Sequence, residues 1–169
     1  MRTVRTTTVR ASSIPEVSLS REHDAAWRGF LRSSALLLRV LDTELRAEHG
    51  MTHRTYDALV QLSEAPDRRL HMKDLAAALV HSASGLTRIV DGLERSGYVR
   101  REPDPANRRS TLVVLTPEGL AALEKAWPTH VRGVQRHFAN QVSPEQARVL
   151  AEVFRGITTN LEDGPPPTS

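Results

Sequence analysis

The sequence predicts a mainly α-helical protein that carries a small β-hairpin wing. Apolar residues recur at helical spacing along most of the chain, which indicates amphipathic helices. Two helical segments separated by a short turn are followed at once by two β-rich runs around a polar turn at residues 103–107. Long amphipathic segments lie before and after this unit. The predicted fold class is therefore a winged helix-turn-helix flanked by N- and C-terminal dimerisation helices.

The composition restricts the class of protein. A chain of 169 residues, of which 25% are charged, is long enough for one globular domain with a sizeable core. Its net charge of +3 permits binding to nucleic acid. The absence of cysteine excludes disulfides, thiolate metal sites and redox sensing through cysteine. No apolar run approaches about 18 residues, and the basic N-terminus lacks the apolar middle of a signal peptide. We therefore expect a cytoplasmic protein without a membrane partner.

One folded domain is expected between two tails. Residues 1–20 are rich in Thr, Ser and Arg without helical periodicity, which predicts a mobile basic tail. Residues 21–162 form the domain: 21–49 and 117–162 are the dimerisation helices, and 52–116 are the winged helix-turn-helix. Residues 163–169 are rich in proline and form a C-terminal tail.

Three helices are predicted before the DNA-reading part of the motif. Residues 21–48 have a broad apolar face and end at Gly50. Residues 52–63 form a second helix capped by Thr52 and broken at Pro66. Residues 72–79 form the first helix of the helix-turn-helix, and its predicted core positions are Met72, Leu75, Ala76 and Leu79.

The second helix of the motif has one apolar face and one thin polar face. Ser82 is the expected N-cap, and Gly97 ends the helix in the left-handed conformation. The core positions are Leu86, Ile89, Val90 and Leu93. The opposite face consists of Ser84, Gly85, Arg88, Asp91, Gly92 and Arg95. Such a face allows close approach to a DNA major groove, and an ordinary solvated helix face has the same pattern.

A hairpin with two arginines follows this helix. The β-rich runs 98–102 and 112–115 flank the turn, and Arg108 and Arg109 lie at its far end. Arginines at a hairpin tip beside a helix-turn-helix suit the negative potential of an adjacent minor groove. This hairpin is therefore predicted to be a DNA-binding wing.

In order and spacing, this region resembles the MarR family of bacterial transcriptional regulators (multiple antibiotic resistance regulators). The residues that carry the resemblance are Leu75-Ala76, Ser82, Ser84, Leu86-Thr87-Arg88, Val90-Asp91, Leu93-Glu94, Gly97-Tyr98-Val99, Arg101, Asp104-Pro105, Arg108-Arg109, Val114-Leu115-Thr116 and Gly119. The resemblance covers roughly residues 24–161. It implies a triangular helical dimer with one wing at each lower corner.

The DNA-binding residues expected from these arguments lie on the second helix and the wing. They are Ser82, Ser84, Gly85, Thr87, Arg88, Arg108 and Arg109. Ser84, Thr87 and Arg88 would contact bases or phosphates, and the two wing arginines would reach the minor groove. The resembled family usually has Asp two residues before its key wing arginine, where this chain has Asn107. Asn keeps the turn but supplies no charge, which leaves Asp91 as a possible partner for Arg109.

The flanking helices predict a dimer. After the wing, Thr116 caps a helix with Pro117 at its first position, and Pro128 is expected to kink or split that helix. Ser143 caps the last helix. The apolar faces of these helices exceed what one small module can cover, which favours a homodimer on an inverted-repeat operator in double-stranded DNA. A monomer with intramolecular packing of the same helices is the alternative.

Aromatic and basic residues near the N-terminal helices suggest an effector site. The candidate ligand-binding residues are Trp27, Arg28, Phe30, Arg32, His53 and Tyr56. Arginines near aromatic rings suit a carboxylate or phenolate ligand. In the resembled family small aromatic acids often bind in that region and release DNA, which implies a repressor relieved by a small ligand. The alternative is that Trp27 and Phe30 belong to a dimer core and the arginines are solvated.

No catalytic, metal or cofactor site is expected. The chain has no glycine-rich phosphate loop, no nucleophile elbow and no paired carboxylates, so we do not expect an enzyme. Its seven histidines lack the spacing of a metal site. A winged-helix protein-interaction module is the alternative function. Arginines around glycine and serine favour a polyanion, whereas a protein-binding face would carry aromatic or aliphatic anchors.

Overall fold

The computed structural model describes residues 18–79, 83–107 and 110–162. The helices are α1 (Arg21–His49), α2 (His53–Glu64), α3 (Met72–Ala78), α4 (Ala83–Arg95), α5 (Pro117–His137) and α6 (Pro144–Glu162). The strands are β1 (Arg69–His71), β2 (Val99–Pro103) and β3 (Thr111–Leu115). Short 3-10 turns lie at Pro66–Arg68 and Ala139–Gln141. The predicted fold class, a mainly helical winged helix-turn-helix with flanking helices, is confirmed.

The chain divides into two units, Met1–Ala35 and Leu36–Ser169. In the described part of the first unit, residues 18–35, Arg28 forms an ion pair with Asp24 one helical turn earlier, at 2.8 Å. The rings of Trp27 and Phe30 lie 6.1 Å apart on the same helix. The predicted tails lie outside the described residues, apart from residues 18–20.

The core of the second unit is built by α2, α3, α4 and the sheet, with contributions from α1 and α5. Its largest fully buried side chains are Leu45, Leu59, Leu62, Leu75, Leu86, Leu93, Val90 and Val113. The predicted core positions of the helix-turn-helix therefore point inward, except that Ile89, Met72 and Ala76 are only partly buried against this cluster. Because the apolar faces of both motif helices meet the same core, the polar face of α4 is directed away from it.

A third strand that the sequence did not reveal completes the wing. β1 pairs antiparallel with β3, and β2 pairs with the other edge of β3, so the order is β1-β3-β2. β1 has only three residues and follows a turn in which Asp67 and Arg68 adopt positive φ angles of 52° and 56°. A run this short has no periodicity of its own, and it becomes a strand because β3 offers it hydrogen-bond partners.

Pro128 does not split the helix after the wing, so that part of the prediction is wrong. α5 runs without interruption from Pro117 to His137. A proline inside a helix removes one hydrogen bond and costs about 3 kcal/mol. Tertiary contacts on both sides offset this cost, because Ala126 is fully buried before the proline and Thr129 after it bonds His49 at 2.8 Å.

The predicted helix caps are confirmed at three helix starts. Thr52 accepts a hydrogen bond from the amide of Thr55 at the start of α2, and Thr116 accepts one from Gly119 in α5. At α6 the capping is reciprocal. Ser143 Oγ accepts from the amide of Gln146 at 3.2 Å, and the Gln146 side chain accepts from the amide of Ser143 at 2.8 Å. These local bonds satisfy amides that the helices leave unpaired.

Candidate nucleic-acid interface

α4 presents a polar face opposite its buried side. Leu86, Val90 and Leu93 are 1%, 0% and 1% exposed and fix the rotation of the helix. The side chains of Thr87 and Arg88 are exposed on the other side. Gly85 and Gly92 are half-buried. Because glycine has no side chain, the helix backbone is accessible at these two positions. The predicted amphipathic pattern of this helix is therefore confirmed.

The end of α4 is set by Gly97. Its φ is +74°, a conformation that glycine adopts without steric cost. The amide of Gly97 donates to the carbonyl of Glu94, and the amide of Tyr98 donates to the carbonyl of Leu93, both at 2.9 Å. This pair of bonds is a Schellman motif. It turns the chain directly from α4 into β2, so that helix and wing are joined without a flexible linker.

The wing turn is closed by hydrogen bonds between its two ends. The amide of Asp104 donates to the carbonyl of Ser110 at 3.1 Å, and the amide of Asn107 donates to the carbonyl of Asp104 at 3.2 Å. Asp104 Oδ1 accepts from the amide of Ala106 at 2.9 Å. On β1, His71 Nδ1 lies 2.9 Å from Ser110 Oγ. Asn107 therefore keeps the turn through its backbone, as expected for Asn in this position.

Arg101 joins the wing to α4, a role that the sequence did not reveal. Its Nη2 lies 2.6 Å from Asp91 Oδ1, and its Nη1 bonds the carboxylate of Glu94. The backbone amide of Arg101 also donates to Glu94 Oε1 at 3.1 Å. Burial alone would lower the pKa of Arg101, but the bonds to these two carboxylates outweigh it and the pKa is raised. The signal available in the sequence was charge alone, because several arginines were equally plausible partners of Asp91.

For four of the seven predicted DNA-binding residues, the structure describes either nothing or only the backbone. Ser82, Arg108 and Arg109 lie outside the described residues. Ser84 belongs to the first turn of α4, but its side chain is not described. Gly85, Thr87 and Arg88 are the predicted contacts that the structure brings together on one helix face. The suggested pairing of Asp91 with Arg109 remains a prediction, while Asp91 is bonded to Arg101.

The six candidate ligand residues fall in both units of the chain. In the first unit the side chains of Trp27 and Phe30 are 52% and 44% exposed, and Arg32 is exposed as well. In the second unit Tyr56 is buried and stacks on His130, with ring centroids 4.4 Å apart. His53 lies 5.6 Å from the ring of His130.

Burial shifts the pKa values of this aromatic group. Desolvation raises the pKa of Tyr56 to about 12, with a smaller contribution from Asp57. Desolvation lowers the pKa of His130, and the nearby His53 lowers it further, against an opposing effect of Asp57. Both rings are therefore held in their neutral forms at neutral pH.

A polar cleft of about 310 Å³ lies between the α1–α2 turn and the end of α4, within the second unit. It is lined by His49, Gly50, Met51, Thr52, Thr55, Gly92, Arg95, Ser96 and Tyr98. None of the six candidate ligand residues is in this lining. Arg95 contributes an arginine to this lining, together with the hydroxyl-bearing residues Thr52, Thr55 and Ser96. The cleft can therefore hold a small polar or anionic molecule.

Two kinds of site are absent from the part of the chain that the structure describes. Across residues 18–79, 83–107 and 110–162, no group of three or more His, Asp or Glu residues is placed to hold a metal ion. Within the same ranges, no helix combines the length and the apolar character needed to cross a membrane.

A helix-turn-helix whose second helix presents a polar face, with a three-stranded wing fastened to that helix, is the architecture of a winged-helix transcriptional regulator. Residues 49–110 match the model of the MarR family. The structure is similar to that of Sco3205, a MarR family transcriptional regulator from Streptomyces coelicolor that was solved in complex with DNA. The TM-score is 0.80 at 36% identity, with 85% of this chain and 94% of the other covered. The chain belongs to the MarR family of transcriptional regulators.

Two regulators of Bacillus subtilis strain 168 are similar in sequence. The HTH-type transcriptional repressor YetL is 27% identical over 115 residues, which cover 66% of this chain and 69% of YetL. The HTH-type transcriptional regulator YkoM is 29% identical over 103 residues, which cover 61% of this chain and 66% of YkoM. The chain thus spans about two thirds of the length of these relatives.

Proposed function

We propose that this protein is a homodimeric repressor that binds an inverted-repeat operator in double-stranded DNA and is released by a small ligand. The observation that carries the proposal is the polar face of α4, where Thr87 and Arg88 are exposed opposite fully buried leucines. The description of Sco3205 as a DNA complex and of YetL as a repressor supports the same function. A protein with this role would work in the cytoplasm.

The DNA contacts proposed for α4 lie in its N-terminal half. Thr87 and Arg88 are exposed there, and Ser84 precedes Arg88 by one helical turn. Recognition helices of this motif contact base edges with their N-terminal residues, and arginine can bond guanine through two atoms. Gly85 keeps the backbone close to the groove. For Ser82 we propose a phosphate contact, and for Arg108 and Arg109 the minor groove.

The proposed dimer would cover apolar side chains that single chains leave exposed. On α6, Val149, Val153 and Ile157 follow one another at four-residue spacing and are 59%, 50% and 52% exposed. On α5, Trp127 and Val131 are 50% and 41% exposed. Apolar stripes of this kind on terminal helices fit a two-fold interface between identical chains. Two copies of α4 would then read half-sites about 34 Å apart on the DNA.

Two places are proposed for the effector. The first is the region of Trp27, Arg28, Phe30, Arg32, His53 and Tyr56, for which the family resemblance implies a small aromatic or phenolic ligand. The second is the polar cleft at the end of α4, where Arg95 would pair with a carboxylate. A ligand in this cleft would touch Gly92 and Ser96 at the C-terminal end of the recognition helix. Binding there would therefore act directly on the helix that reads DNA.

The test starts from a pool of random duplex DNA that is bound at two salt concentrations and sequenced. We expect an enriched inverted repeat, with affinity that falls steeply as salt rises. Arg88→Ala should weaken binding to the enriched site by about fivefold or more. Arg39→Ala, which removes an equally exposed arginine from α1, serves as the control. If no sequence is enriched and the DNA affinity is weak and independent of salt concentration, the result would instead support a module that binds a partner protein.

A further inference from the structure

Arg101 is a wing cation with ion pairs to two carboxylates of α4. It reaches from β2 across to α4 and bonds two carboxylates of that helix, Asp91 at 2.6 Å and Glu94. Its side chain is 25% exposed, compared with 51% for Asp91 and 41% for Glu94. The guanidinium is therefore the covered member of the cluster, and the carboxylates are the members that face solvent.

These carboxylates lie beside the proposed DNA-binding residues. Asp91 follows Arg88 by three positions and precedes Arg95 by four, so all three share one face of α4. A carboxylate on a helix that enters a groove is repelled by the phosphates on either side. Asp91 would therefore oppose DNA binding unless another group balances its charge.

The charge of α4 alone does not favour a polyanion. Within Ala83–Arg95 the charges of Arg88 and Arg95 are cancelled by those of Asp91 and Glu94. Arg101 comes from outside the helix and leaves this surface with one net positive charge. Because it is held by two side chains and one backbone bond, its charge has a fixed position relative to α4.

We propose that Arg101 is a positioning residue for DNA recognition, which neutralises Asp91 and Glu94 and fixes the wing against the recognition helix. This inference rests on the proposed function, because it assumes that α4 meets DNA. It assigns no contact with DNA to Arg101 itself. Lysine at this position would keep the charge but could not bond both carboxylates in one plane.

The test compares the cost of removing Arg101 in two backgrounds. In the wild-type background, Arg101→Met should weaken binding to the enriched operator by about fivefold or more and change its salt dependence. In a background that carries Asp91→Asn and Glu94→Gln, the same substitution should cost less than about twofold. The reason is that Arg101 then has no carboxylate on α4 to neutralise or to bond. Arg101→Lys should give an intermediate loss.

Arg100→Met is the matched control. Arg100 is the neighbour of Arg101 on β2, but it pairs with Glu102 of its own strand at 2.5 Å and is 54% exposed. Both substitutions remove one positive charge from the same strand, so a general effect of net charge would appear equally in both. Melting temperatures of all variants establish that the domain remains folded.

Several results would overturn the proposal. If Arg101→Met weakens binding equally in both backgrounds, Arg101 acts independently of Asp91 and Glu94, and its proposed role as their partner is wrong. If Arg101→Met binds like the wild type while Arg88→Ala is impaired, the inference is wrong and the proposed function stands. If Arg88→Ala also binds like the wild type, then α4 does not read DNA and both proposals fall. If Arg101→Met does not fold, Arg101→Lys becomes the deciding variant. Operator binding by Arg101→Lys that equals the wild type would contradict the need for one side chain to bond both carboxylates.

Discussion

Replacing Gly119 by alanine is a sharp test of the packing between the wing and α5. Gly119 lies in the first turn of α5, where a Cβ atom would stand 2.0 Å from the carbonyl oxygen of Tyr98 and 2.8 Å from its carbonyl carbon. Both are backbone atoms and cannot rotate away. To restore an ordinary C···O contact near 3.3 Å, the two segments would have to separate by about 1.3 Å.

That separation would break a bond that closes the wing. The amide of Thr116 donates to the same carbonyl of Tyr98 at 3.1 Å, so a shift of this size takes it beyond hydrogen-bonding distance. Overpacking of this kind costs about 1–3 kcal/mol, and the lost hydrogen bond adds about 1 kcal/mol. Alanine returns about 1 kcal/mol through its helix propensity. The expected net loss is about 1–3 kcal/mol, or roughly 2–12 °C in melting temperature for a chain of this size.

The assay is thermal unfolding followed by circular dichroism. Gly92→Ala is the control, since the nearest atom to its Cβ is Arg95 Nη2 at 3.9 Å and α4 has room for a methyl group. That substitution should stabilise the protein by up to about 1 kcal/mol. A Gly119→Ala variant that melts at or above the temperature of the wild type would refute the close approach of α5 to Tyr98.

Three further predictions concern caps and a half-buried ring. Thr116→Ala should cost about 0.5–2 kcal/mol of unfolding free energy in chemical denaturation, because the cap of α5 is lost. Ser143→Ala should reduce the helical circular dichroism signal with a smaller loss of global stability, since it caps only α6, and equal losses for both caps would contradict this. His130 has a lowered pKa in the folded state, so the unfolded state takes up its proton first and stability should fall as the pH drops below the ordinary value of 6.5. His130→Asn should flatten this pH dependence in denaturant titrations, and an unchanged slope would exclude His130 as its source.

The helices were predictable because their signals are local. Thr52, Thr116 and Ser143 each lie next to the amides that they cap, so a few consecutive residues determine where the helix begins. Gly97 likewise ends α4 through bonds that span only five residues. The inward positions of α4 followed from helical spacing alone.

The features that were missed depend on residues that are distant in sequence. β1 exists because β3, about 40 positions later, pairs with it. The helix across Pro128 persists because Thr129 bonds Glu48 and His49 from α1. The guanidinium of Arg101 bonds Glu94 and Asp91, which precede it by seven and ten positions. These residues lie close to Arg101 because the chain turns at Gly97. No local pattern encodes such pairings, and several arginines in the sequence were equally plausible partners.

The exposure of α6 bears on how dimer formation would depend on the amount of the protein. None of the 19 residues of this helix is buried within the chain. Most of the stability of a helix in a protein comes from the packing of its apolar face, so the folding of α6 is coupled to whatever covers its apolar stripe. If the cover is a second copy, the helical fraction of the C-terminal segment rises with the total concentration of the protein. The concentration of dimers, each with two copies of α4, would then rise faster than linearly with the total concentration of the protein. DNA binding would therefore show a threshold in expression without any effector.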